Sequence, residues 1–209
     1  MIYSLNACIE SKIFKEIIVA SDSKKYLEII EEKLKHNKNI IFFKRNKKNS
    51  LDSSSSENVI LEIIKEKKII KNTCALIQAT SPLVSARDII NAFKKYETYK
   101  YDSLFSSYKT KKFLWSKKNK KLASLNYNFK RRPMRQKNLG SYIENGAIYI
   151  FKSNNIKKYK NRLHRKIGTY CMSEDKSLEI DTKDDLNKLK ILVNKNRLKT
   201  KILKNFNFR

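Results

Sequence analysis

The sequence predicts an α/β domain built on a parallel-rich mixed sheet with helices on both faces. Three observations predict it. Short apolar runs alternate with longer stretches whose apolar residues recur at helical spacing, as strand–helix–strand units do. The alternation runs from residue 16 to residue 108 with no linker rich in Pro, Gly or Ser and no internal repeat. Polar side chains crowd the point where an apolar strand stops, and an open α/β sheet places its ligand at such points. The 209 residues, 40% of them hydrophobic, suffice for one domain, 1–209, with a sizeable core.

The elements follow in order. EIIVAS (16–21) reads as a short apolar strand, and KKYLEIIEEKLK (24–35) as a helix presenting Leu27, Ile30 and Leu34. NIIFFK (39–44) is a second strand. SSSSENVILEIIKEKK (53–68) opens with hydroxyl caps and an early acid before its apolar stripe, so it is a helix. TCALIQ (73–78) is a strand, SARDIINAFKKY (85–96) a helix and DSLFSSY (102–108) a strand. Residues 109–140 break the rhythm; they are basic, contain Trp115 and Pro133, and read as an excursion of short strands or loop. SYIENGAIYIFK (141–152) and IGTYCM (167–172) restore strands, and DTKDDLNKLKILVNK (181–195) is a capped final helix. The basic tail, 196–209, reads as a solvated helix end or a frayed terminus.

Composition excludes several classes. No run approaches the ~20 apolar residues of a membrane span, and the N-terminus lacks the basic start and cleavage site of a signal peptide. A cytoplasmic protein is expected. Cys8, Cys74 and Cys171 are scattered, and the histidines are His36 and His164, so neither a structural zinc site nor a disulfide framework is expected. The net charge of +28 invites a nucleic-acid reading. The lysines are spread through the whole chain and interleaved with Asn and Ile, a mixture that A/T-rich codons produce without any partner.

Four motifs could carry chemistry. In LIQATSPL (76–83) the strand ends in Gln78, Thr80 and Ser81 ahead of Pro82. In LDSSSSENVI (51–60), Asp52 and the serines stand at a helix start, where orphan N–H groups favour acceptors. Ordinary capping accounts for them, and so would contacts from Ser55 and Ser56 to a ribose or base. In SLEIDTKDD (177–185), Glu179 and Asp181 would share one face of a strand, a spacing that suits Mg²⁺ holding substrate phosphates. Thr182 offers a cap there, and Asp184 and Asp185 read as dipole-stabilising acids. In ENGAIYIF (144–151), Asn145–Gly146 reads either as a hairpin tip or as a close approach to the backbone.

Taken in order, ACIESKIFKEIIVASDS, DSSSS, LIQATSPL, RQKNLGSYIENGAIYIF, YCM and SLEIDTKDDL resemble the motifs of the CMP-sialic acid synthetases, the acylneuraminate cytidylyltransferases. The likeness runs nearly end to end. It implies a Rossmann-like nucleotidyltransferase fold and a homodimer, with 109–140 as the dimerisation excursion. It also implies Mg²⁺-dependent transfer of CMP from CTP to a nonulosonic acid sugar, releasing pyrophosphate. By motif, Asp52, Ser55 and Ser56 would border the cytidine. Gln78, Thr80, Ser81, Arg135, Asn145 and Tyr149 would line the sugar side, and Glu179 and Asp181 would hold the metal. The family's first strand and glycine-rich phosphate loop, about 30 residues, are expected to be missing: the chain starts at the following helix, and its glycines are Gly140, Gly146 and Gly168. Two other readings stay open, an inactive copy serving as a binding or dimerisation module, and a basic nucleic-acid binder.

Overall fold

The computed structural model describes residues 1–34, 36–50, 54–134 and 136–205. A helix not read from periodicity comes first: α1, Ile2–Ser11, buries Leu5, Ala7 and Cys8 and stops at Lys12 in the left-handed region (φ 55°). Then strand and helix alternate as the apolar spacing predicts. They are β1 (Ile17–Ser21), α2 (Lys24–Leu34), β2 (Ile40–Lys44), α3 (Ser56–Glu66), β3 (Thr73–Ile77), α4 (Ala86–Thr98) and β4 (Ser103–Thr110). Local chemistry fixes the helix starts. The Ser55 hydroxyl accepts the Asn58 N–H at the head of α3 (3.2 Å). At α4, Ser85 and Asp88 form a reciprocal capping box that satisfies two otherwise orphan donors.

The basic excursion folds as a hairpin of β5 (Trp115–Lys118) and β6 (Lys121–Ser124), followed by a short 3₁₀ turn at Phe129–Arg131. Beyond it come β7 (Ser141–Lys152), α5 (Ser153–Tyr159), β8 (Ile167–Met172) and α6 (Lys183–Asn205). α5 was not expected, because Ile156 is the sole aliphatic residue in its seven-residue span. α6 runs on through much of the basic tail, past the expected end at 195.

Four strands make the main sheet in the order β3-β7-β4-β8. β7 is antiparallel to β3 and β4, while β8 is parallel to β4, so β7 alone runs against the other three. β1 and β2 form a separate parallel pair. Alternate residues of the main sheet point into two apolar cores. Ala75, Ile77, Leu104, Ile148 and Ile150 face a cluster that includes Leu5, Leu27 and Ile89 of α1, α2 and α4. Cys74, Leu76, Phe105, Tyr149 and Phe151 face Ile64 of α3 and Ile156 of α5. The α/β reading with helices on both faces holds. Among the described residues no helix is long and apolar enough to cross a membrane.

The Asn145–Gly146 step is not a hairpin tip. It lies inside β7, where the pairing with β4 shifts register between Phe105 and Ser107. The Ser106 hydroxyl fills this irregularity, bonding to Asn145 Oδ1 (2.6 Å) and accepting the Ile148 N–H (2.8 Å). Gly146 supplies the positive φ (67°) that the bend requires.

Candidate active site

The polar end of β3 is where the chain converges. Gln78 continues the strand, donating its N–H to the Ala147 carbonyl (3.1 Å), before the turn Gln78–Ser81 leaves the sheet. The N-terminal ammonium donates to the Ala79 carbonyl (3.2 Å), and the Ser4 hydroxyl to the Ser81 carbonyl (3.2 Å). The start of α1 is thereby fixed to the same corner. Gln78 is half-buried and Thr80 exposed, whereas Ser81 is buried with no partner for its hydroxyl.

Opposite this turn lies the segment 178–181. It is not a strand, as the i, i+2 reading assumed, but an extended connector between a 3₁₀ turn (Glu174–Ser177) and α6. The Ile180 N–H donates to the Thr80 carbonyl (2.9 Å), so Glu179 and Asp181 flank a residue anchored to the end of β3. Glu179 lies directly over Gly146: a Cβ at that position would stand 1.9 Å from its Oε1. The space over Gly146, read as an approach for a substrate, is taken by the chain's own carboxylate. Any larger residue there would displace it.

Charge accumulates at this point. Burial, then Asp181, then Glu144 hold the Glu179 carboxyl above its ordinary range. A cation beside Glu179 would relieve the repulsion that raises its carboxyl. Glu179 and Asp181 have the donor chemistry that a hard divalent ion takes. Among the described residues, no group of three or more His, Cys, Asp or Glu side chains is already arranged as a metal site.

The other expected site residues fall into three groups. Asn145 is 3% exposed and its amide is committed, Nδ2 donating to Ser177 Oγ (2.9 Å) and Oδ1 accepting from Ser106. Tyr149 is equally buried; its hydroxyl donates to Glu144, and the Arg162 guanidinium lies 4.2 Å from its ring centroid. Burial, then the Glu144 bond, pushes the Tyr149 phenol above its ordinary range. From within β7, Asn145 thus holds Ser177 and Tyr149 holds Glu144. Ser55 is exposed and spends an acceptor on its cap, with Ser56 opening α3 beside it. Asp52 and Arg135 lie outside the described residues.

Thr182 and Asp185 cap α6 as expected. The Asp185 carboxylate accepts from the Thr182 hydroxyl (2.7 Å) and Lys188 Nζ (3.0 Å), which bring it down to about 2. The sequence reading missed Glu144, Ser106 and Ser177. Glu144 stands two residues before Gly146, but only the bulge turns it toward Tyr149 and Glu179.

The chain matches the model of the cytidylyltransferase family over residues 1–205. It is 26% identical over 208 residues to the post-translational flagellin modification protein B of Campylobacter coli, covering 95% of this chain and 86% of that one. It is 29% identical over 185 residues to N-acylneuraminate cytidylyltransferase A of Danio rerio, covering 87% of this chain but 41% of that one. In fold it is similar to a 4-diphosphocytidyl-2C-methyl-D-erythritol synthase of Anaerococcus prevotii, with a TM-score of 0.64 at 14% identity, over 91% of this chain and 84% of that one.

Proposed function

The chain belongs to the cytidylyltransferase family, and we propose that it transfers CMP from CTP to a sialic-acid-like nonulosonic acid. The anomeric oxygen of the sugar forms a bond to the α-phosphorus as the bond to pyrophosphate breaks. The observation that carries this reading is the stacking of Glu179 over Gly146, beside Asp181 and against the polar end of β3. Relatives named N-acylneuraminate cytidylyltransferase support the sugar class. The chain spans less than half the length of those relatives.

Glu179 and Asp181 would hold Mg²⁺, which when bound would neutralise charge gathering on the α-phosphate. The remaining catalysis is positioning and fixed dipoles. Gln78, Thr80 and Ser81, with Arg135, face the sugar. Asn145 and Tyr149 act from beneath, holding Ser177 and Glu144 in place. Ser55 and Ser56, at the head of α3, border the cytidine, with Asp52 assigned to it by motif alone. The reaction belongs in the cytoplasm, where nucleoside triphosphates are held.

The excursion gives the protein a second copy of itself as partner. Leu122, Leu125, Phe129, Met134 and Leu139 stand exposed on it, apolar side chains that a second subunit would cover. Sedimentation is expected to return a homodimer, and Leu122→Lys with Leu125→Lys a monomer.

The function is tested with CTP labelled at its α-phosphate, on protein joined at residue 1 to a relative's first strand and phosphate loop. A labelled CMP-sugar is expected with a nonulosonic acid and none with a neutral hexose. Label transferred only to a sugar alcohol phosphate would overturn the substrate assignment. One observation favours a narrower role for residues 1–209 alone, as a binding or dimerisation module: β1 and β3 share a core without being paired to each other. Calorimetry on that polypeptide is accordingly expected to show weak CTP binding; micromolar binding would remove this second reading.

A further inference from the structure

The connector carrying Glu179 and Asp181 has no ladder to hold it, yet it and the 3₁₀ turn before it are tied to the end of β3, to β7 and to α4. Two ties lead to residues of the site itself: Ile180 to the Thr80 carbonyl, and Ser177 to the Asn145 amide. The third leads away. Lys176 Nζ reaches Asp88 Oδ2 at 2.6 Å and Ser85 Oγ at 3.2 Å, at the head of α4.

Asp88 is a firm anchor. It is 6% exposed, and the helix behind it is fixed by Ile89 and Ala92, both fully buried. Its carboxylate also accepts the Ser85 N–H (3.1 Å) and the Tyr170 hydroxyl (3.2 Å), the latter from β8. α4 follows directly from the polar turn after β3, so the Lys176–Asp88 pair joins the two halves of the site by a second route.

We propose that Lys176 is a positioning residue: by pinning the connector to buried Asp88, it sets where Glu179 and Asp181 stand relative to Gln78–Ser81. The proposal rests on the metal-binding role assigned to those two carboxylates. Burial alone would raise the Asp88 carboxyl, but the Lys176 and Ser85 bonds outweigh it and hold the group below its ordinary range. The Asp88 carboxylate is therefore ionised at neutral pH and bonded to Lys176 Nζ. A simpler role for Lys176, as a nearby positive charge, makes the opposite demand. An ammonium close to a cation site repels the cation, so its removal should tighten binding, whereas loss of a positioning contact should weaken it.

Mn²⁺ binding to the full chain, followed by electron paramagnetic resonance with Mn²⁺ alone as the probe, separates the two. Lys176→Met keeps the stem and removes the charge; it is expected to weaken Mn²⁺ binding about tenfold, the usual scale for groups that orient metal ligands. Lys176→Arg should recover most of the loss, since the guanidinium still reaches the Asp88 carboxylate. Asp88→Asn should weaken binding as Lys176→Met does, with the double variant no worse than either single one. Thermal unfolding confirms that each variant is folded; should Lys176→Met not fold, Asp88→Asn is judged by the same readout. Unchanged or tighter Mn²⁺ binding in folded Lys176→Met, with Asp181→Asn losing it, would overturn the positioning role and leave the site reading standing. A wild-type chain that binds no Mn²⁺ would overturn the site reading, and the role of Lys176 with it.

Discussion

β7 and β3 lie side by side in one sheet, are apolar on both faces, and are covered by the same two clusters, yet only β7 is buried. Ala147 to Phe151 are 0–3% exposed, whereas Cys74, Ala75, Leu76 and Ile77 are all only partly buried. The helices on the two faces are not the cause, because each cluster receives residues from both strands. The difference is lateral. β7 has a strand on either edge, and β3 has β7 on one edge and no strand paired to the other among the described residues. β1 is likewise paired to β2 alone among the described residues, but its Ile17, Val19 and Ser21 are buried by the helices, so an open edge tells most where face cover is thinner. A strand needs its edges covered as well as its faces. An open edge with core-like sequence is a template for another strand.

The largest effect should come from closing that edge. A first strand and phosphate loop joined at residue 1, where the N-terminal ammonium already meets the end of β3, is expected to raise and sharpen thermal unfolding. It should also bring cytidylyl transfer to its full rate. An unchanged, broad transition would mean that β1 and β3 do not flank a strand position.

Core truncations sharpen the comparison at smaller scale. Ile150→Ala, at a fully buried position of β7, is expected to cost about 2–5 kcal/mol in urea unfolding. Leu76→Ala in β3 should cost clearly less, because part of its side chain is already in water. Equal costs would refute the lateral explanation.

Acid titration comes next. The Asp88 carboxyl is held below its ordinary value in the folded chain, so the stability it confers is present above the unfolded pKa. That stability is lost as pH falls through the folded one. Asp88→Asn should flatten the acid limb of a pH–stability curve without steepening the neutral region. Asp185→Asn should act in the same sense: the Thr182 and Lys188 bonds hold this half-buried carboxyl down at about 2, so the stability it confers is present at neutral pH and is lost as pH falls through the acid range.

The alternation of strands and helices was legible because each element carries its own apolar period, and the caps at Ser55 and Thr182 because capping is local chemistry. What stayed hidden depends on distant residues. Asn-Gly statistically marks a hairpin tip, and here the Ser106 hydroxyl, far off in sequence, turns the same pair into a filled bulge. Lys176 and Asp88 are 88 positions apart and carry no shared pattern. α5, a short polar helix, has too little amphipathicity to announce itself. The i, i+2 spacing of Glu179 and Asp181 named the wrong element, a strand where the chain has an extended connector.

Pyrophosphate release across a Mg²⁺ titration, on the chain carrying a relative's first strand and phosphate loop at residue 1, reaches the proposed chemistry itself. Asp181→Asn is expected to abolish release at every Mg²⁺ concentration, because a negative ligand is lost where phosphate charge must be neutralised. Glu179→Asp should retain release, since a shorter carboxylate still stands over Gly146 and can reach the ion. Asp181→Asn releasing pyrophosphate at the wild-type rate, with wild-type dependence on Mg²⁺, would contradict the assignment of the site.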